Sequence, residues 1–221
     1  MNTSPVIAPV SGLRGRGRVG ATALAFAGGL LLGVLTNLAQ GWLPGAWNQI
    51  ANSGGVWSVA AFAAGALLAG RAGQGGRGGL FVAAVAGLCA EAGLVVGYYG
   101  YAEVARDGMG SLFAPLVWLA MAFVAGPLFG VAGLWWRGAC PRRRVVGVAA
   151  LGGVFGAEAI HYARVLHYAA QAWACLAVLV LVTLLMGRTP KERASSLLAA
   201  VPFSLAAYLL LYELVLSALL G

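Results

Sequence analysis

The 221-residue chain is 61% apolar and only 9% charged, with a mean hydropathy of +0.88. A water-soluble domain carries about 25% charged residues, so charge this sparse cannot cover a soluble surface, and the solvent for most of this surface is lipid. The formal charge of +8 sits in short runs between apolar stretches, without the basic face and interleaved aromatics that nucleic-acid binding needs, and nucleic acid is excluded as a partner.

The chain opens on a basic tail, 1–19, with Arg14, Arg16 and Arg18, read as cytoplasmic and disordered. Residues 20–221 read as one transmembrane helical domain. A bilayer core of ~30 Å needs about 20 apolar residues per helix. Seven stretches qualify: 20–41, 54–70, 79–101, 112–136, 145–164, 170–187 and 195–219. The first follows arginines, as a signal peptide does. Its apolar run is longer than a signal h-region and no small-x-small cleavage site follows, so it is kept as a helix. The expected fold class is therefore all-α, a polytopic bundle of about seven spans.

The loops carry the orientation. Arg14, Arg16 and Arg18 precede span 1; Arg71 and Arg77 follow span 2; Arg137, Arg142, Arg143 and Arg144 follow span 4; Arg188, Lys191 and Arg193 follow span 6. The opposite side holds only Arg106 and Arg164. The positive-inside rule then predicts a cytoplasmic N-terminus and an outside C-terminus in the cell membrane. The partners implied are the lipid bilayer and, at the Arg clusters, anionic headgroups.

Glycines repeat at i,i+4 in Gly29/Gly33, Gly93/Gly97, Gly126/Gly130 and Gly152/Gly156. Small residues at this spacing let helices approach closely in lipid. Internal packing of the bundle and an interface to a second copy or a partner membrane protein both fit. Pro127 and Pro202 each remove a backbone hydrogen bond inside a span. Cys89 and Cys175 read as buried hydrophobes, and Cys140 as a loop thiol beside Arg142, with no disulfide or metal spacing among the three.

Several chemistries are excluded. Gly73 to Gly78 spells a dinucleotide fingerprint, but no strand precedes it. Retinal binding needs a lysine in the last span, and the sole lysine is Lys191, in a loop. Serine, aspartyl and zinc intramembrane protease patterns are absent. No catalytic residue, metal or cofactor is assigned.

Intramembrane acids remain. Glu91 falls near the middle of span 3; Glu158, Glu213 and the amide Asn37 fall in the outer halves of spans 5, 7 and 1. A carboxylate at the bilayer centre costs roughly 2.5–3.5 kcal/mol on the insertion scale, so such groups face the bundle interior or water. Glu158, His161, Arg164 and His167 follow one another at i+3, where helical neighbours can touch, and form an outer-end polar ridge. Glu158-x-x-His161 has the spacing of di-metal carboxylate bundles, which also require a second such pair, absent here. The uncharged connection from Gly41 to Ser53, with Trp42, Trp47, Asn48 and Gln49, suits a headgroup-level loop or an outer lid.

The run Trp42-Leu-Pro-Gly-Ala-Trp47 through Asn52-Ser53, with Trp57, Phe62 and Gly65, resembles a group of small bacterial multi-pass membrane proteins of unknown function. The resemblance extends from about residue 22 to 215 and brings no activity with it. The residues themselves favour a small-solute permease with Glu91, Glu158, Glu213, His161 and Asn37 lining a polar cavity. A non-catalytic accessory subunit and a membrane enzyme using Glu158 and His161 stand as alternatives.

Overall fold

The computed structural model describes residues 11–69, 77–106, 108 and 110–216; the side chains at 11–18, 69, 77 and 213–216 lie outside that description. Sustained apolar composition without water to satisfy the backbone leaves the helix as the viable spanning form. The chain forms α1 (Ser11–Trp42), α2 (Gly54–Ala64), α3 (Arg77–Ala105), α4 (Phe113–Arg137), α5 (Pro141–Arg164), α6 (Ala169–Met186) and α7 (Pro190–Tyr208). Wider π-helical turns, Gly65–Ala69 and Leu209–Leu216, extend α2 and α7. No strand occurs among the described residues.

Among the described residues seven helices are long and apolar enough to cross a membrane, the number the sequence predicts: Val19–Trp42, Gly45–Leu68, Gly78–Ala105, Phe113–Arg137, Pro141–Arg164, Ala169–Met186 and Pro190–Tyr212. The ends are set by local chemistry. Ser53 caps α2, its hydroxyl accepting from the Val56 N–H at 3.2 Å. Thr189 caps α7 in the same way for Glu192, and Pro141 and Pro190 occupy first turns, where the missing N–H costs nothing. The helix α1 begins at Ser11, inside the basic stretch. The connection before α2 is not extended chain: Gly45–Trp47 and Asn48–Ala51 are short helical turns. The Gly-rich segment at 71–76 lies outside the described residues.

Odd-numbered spans pair in parallel. Gly29 and Gly33 of α1 sit against the backbone of Ala90 and Leu94 on α3, while Gly93 and Gly97 of α3 sit against Phe26 and Leu30. A methyl group at any of the four would overlap a carbonyl oxygen across the interface. On the other side, Gly152 and Gly156 of α5 face Thr183 of α6 and Ser204 of α7, and Gly126 and Gly130 join α4 to α3. All four glycine pairs therefore serve contacts within the chain.

The helix α5 is central: 72% of its spanning window is buried, against 17% for the first and last spans. Its Leu151, Val154 and Phe155 pack with Phe62 of α2, Phe129 of α4 and Leu179 of α6. At the Arg-rich end, Arg144 of α5 and Glu192 of α7 form a buried ion pair, Nε to Oε2 at 3.7 Å, and Glu192 also accepts from the Arg188 N–H at 3.0 Å. The same carboxylate thus holds two elements at the start of α7.

Candidate functional site

A cavity of about 250 Å³ lies among α2, α3, α4, α5 and the end of α7. Its walls are apolar and aromatic: Trp57 and Ser58 from α2, Trp118 and Phe129 from α4, Val154 from α5, and Tyr212 from the π-helical turns after α7. Wide turns leave the helical ladder out of register and recur at functional sites. Here the turn carries Tyr212 into the cavity wall.

Glu91 lines this cavity and is only 4% exposed. Residues on α3 before and after it, Ala90 and Leu94, are consumed by the α1 interface. Glu91 has no hydrogen-bond or ion-pair partner among the described residues. The Ser58 hydroxyl on the neighbouring wall donates to the Gly54 carbonyl at 2.7 Å, so its own proton is engaged. The Trp57 indole N–H is buried without an acceptor among the described residues. Trp57 and Trp118 stand with ring centroids 5.0 Å apart at 51°, and Trp57 also meets Tyr98 at 5.6 Å.

Glu158 has a different environment. Its Oε1 accepts from the Gly55 N–H at 2.8 Å, and the Gly54 N–H and Ser53 hydroxyl also face the carboxyl group. The first N–H groups of a helix have no intrahelical acceptor, and here a carboxylate from α5 supplies one for α2. Anionic charge at a helix N-terminus is favourable. Gly54 and Gly55 make room: a Cβ on Gly55 would stand 2.8 Å from Glu158 Oε2. Cys175 of α6 approaches the other side, Sγ to Oε2 at 4.0 Å. Glu158 thus lies behind the start of α2, one residue layer from the cavity, since Gly54 borders both.

His161 does not bond to Glu158. Its ring stacks on Tyr212 at 4.1 Å and 15°, and its Nδ1 has no partner among the described residues. The i+3 ridge is broken further along. Arg164 ends α5, and His167 lies past the helix in a left-handed conformation (φ 58°), where the chain turns and the Tyr168 N–H donates to the Tyr162 carbonyl. Arg164 and His167 border a separate groove of about 650 Å³, between α5, α6 and α7, with Trp173, Leu176 and Leu205.

Asn37 is also elsewhere. It is 1% exposed between α1 and α3, its Nδ2 donating to the Tyr98 carbonyl at 3.0 Å. Arg106 donates to the Asn37 carbonyl at 2.7 Å, and Tyr98 donates to Gln40. This cluster ties the two helices at the Arg-poor end. The side chain of Glu213 lies outside the described residues, although its neighbour Tyr212 reaches the cavity.

Of the residues singled out in the sequence, Glu91 lines the chamber, Glu158 stands behind one wall, and His161 touches it through Tyr212. Trp118 and Tyr212 were not singled out. Tyr at the end of a span also fits an interfacial belt, and nothing in spacing distinguishes the two. Among the described residues no group of three or more His, Cys, Asp or Glu side chains could hold a metal ion.

Seven apolar spans, parallel odd-numbered pairs and an intramembrane cavity with a buried acid define a polytopic α-helical membrane protein. Residues 13–217 match the Family of unknown function (DUF6518), and the chain belongs to that family, in agreement with the resemblance read from Trp42 to Gly65. No curated protein and no solved structure matches the chain.

Proposed function

We propose that this chain is a small-solute permease of the cell membrane whose binding chamber is the cavity among α2, α3, α4, α5 and α7. One observation carries the reading: Glu91, buried in a membrane span, lines that cavity without a partner among the described residues. An acid at this depth is costly unless something offsets it, and a bound solute or proton is what the cavity admits. The N-terminus lies in the cytoplasm, on the argument of the arginine loops.

The test is uptake of a panel of small solutes into proteoliposomes, comparing wild type with Glu91→Gln and with Val117→Trp. Val117 is a half-buried wall residue, and the larger side chain fills the chamber. Wild-type flux should fall about tenfold or more in both variants, as expected for loss of a charge-assisted contact or of the binding space. A flux carried equally by all three proteins removes the chamber from the reading.

Glu158 supports a second reading, an accessory subunit whose acids are satisfied by helix contacts, because its carboxyl group already accepts from Gly55. A stoichiometric partner retained through purification in mild detergent supports it. A homogeneous species containing only this chain counts against it.

A further inference from the structure

We infer that the chamber takes an amphipathic organic amine, an aromatic or alkyl body carrying one protonated nitrogen. This deepens the permease reading and rests on it for the claim that the ligand is transported, but not for the claim that it binds.

The argument is one of elimination by chemistry. Among the described lining residues Glu91 is the only acid, and no Arg, Lys or His lines the chamber. An anion would meet a carboxyl group with no countercharge. A sugar or other polyol needs several donors and acceptors. Besides Glu91, the described walls offer the Tyr212 and Ser58 hydroxyls, the latter's proton already held by Gly54, and otherwise apolar or aromatic surface. A purely apolar occupant would leave Glu91 unmatched, and unmatched buried polar groups are what closed sites avoid.

A protonated amine fits both halves. Its N–H groups donate to Glu91, a charge-assisted bond stronger than a neutral one. Trp57 and Trp118 present two indole rings to the same chamber, and indole is the best aromatic partner for a cation. Phe129, Val154 and Leu211 enclose the apolar body. The volume, about 250 Å³, is at the small end for ligand pockets, which suits one ring or a short chain.

The experiment uses the full chain in lipid nanodiscs and three probes that share a 2-phenylethyl body: 2-phenylethylamine, 2-phenylethanol and 3-phenylpropionate. Binding is read by calorimetry and by tryptophan fluorescence. The amine should bind about tenfold or more tightly than the alcohol, the usual scale for adding a charge-assisted bond and a cation–π contact, and the carboxylate should not bind. Glu91→Gln should abolish the preference for the amine while leaving the alcohol's affinity within a few-fold. Trp118→Phe, which keeps Glu91, should weaken the amine more than the alcohol and guards against a fold defect in the first variant.

Equal affinity for amine and alcohol, preference for the carboxylate, no binding of the amine, or amine binding that survives Val117→Trp (simple partition into lipid) each overturns the assignment. Uptake separates this from the permease reading. Amine binding without flux leaves the ligand class standing and removes transport. Flux of a different solute class, lost in Val117→Trp, leaves transport standing and removes the amine.

Discussion

Glu158 provides the sharpest test of how this bundle is held together. Its carboxyl group serves as acceptor for the start of α2, 103 residues away in sequence, with the Gly55 N–H at 2.8 Å. Glu158→Ala strands that buried donor, at about 1–3 kcal/mol, and removes a methylene with its packing, near 1 kcal/mol more. The expected loss is roughly 2–4 kcal/mol. Glu158→Gln keeps an acceptor oxygen and loses only the charge at a helix N-terminus, about 0.3–1 kcal/mol, partly offset because a neutral amide is cheaper to bury. Thermal unfolding of the purified protein in detergent should therefore rank wild type, then Gln closely behind, then Ala. A loss of 3 kcal/mol corresponds to a midpoint roughly 6–12 °C lower for a chain of this size. Gly55→Ala should behave like Glu158→Ala, because its methyl would stand against the same carboxyl group and against Phe155. If Gln proved as damaging as Ala, the carboxyl group would act through charge or proton exchange, not as an acceptor, and the capping argument would fail. If neither mattered, the bond would not exist in the folded protein.

Three further outcomes follow from the geometry. Gly33→Val should separate α1 from α3, since the added Cβ overlaps the Leu94 carbonyl; the thermal midpoint in detergent should fall by several degrees, and an unchanged midpoint would refute the close approach. Removing one partner of the buried Arg144–Glu192 pair should cost about 3 kcal/mol or more, whereas Arg144→Met with Glu192→Leu together should cost clearly less; equal losses in denaturation midpoint would show that the charge pairing is irrelevant. Cys140 is exposed at the N-cap of α5, where the backbone N–H of Arg143, then that of Arg142, and both guanidinium charges hold its thiol below the ordinary value. More of it is thiolate at a given pH, so maleimide labelling should reach half-maximal rate at lower pH than for a cysteine peptide, and Arg142→Gln with Arg143→Gln should move that point back upward; an unshifted profile would contradict the local field.

The spans, their number and their helical form were legible in the sequence because each depends on a local sum: about 20 apolar residues match the bilayer, whatever they later touch. The glycine pairs were legible as contact points for the same reason, since i,i+4 spacing puts them on one face. Which helix each pair meets was not, and only packing settled that Gly29/Gly33 and Gly93/Gly97 share the one interface between α1 and α3.

The acids show the division most clearly. Burial of Glu91 and Glu158 follows from where they fall in their spans. Their roles do not. Glu158 and His161 have the spacing to touch, yet each turns to another helix, one to the start of α2 and the other to Tyr212. Asn37 sits at a comparable depth, and its side-chain N–H donates from α1 to the Tyr98 carbonyl of α3. Depth is read along one helix, from hydrophobicity alone. Partnership depends on the rotation and crossing of several helices at once, and only the tertiary structure decides which buried polar group is matched by protein and which, like Glu91, is left facing a cavity.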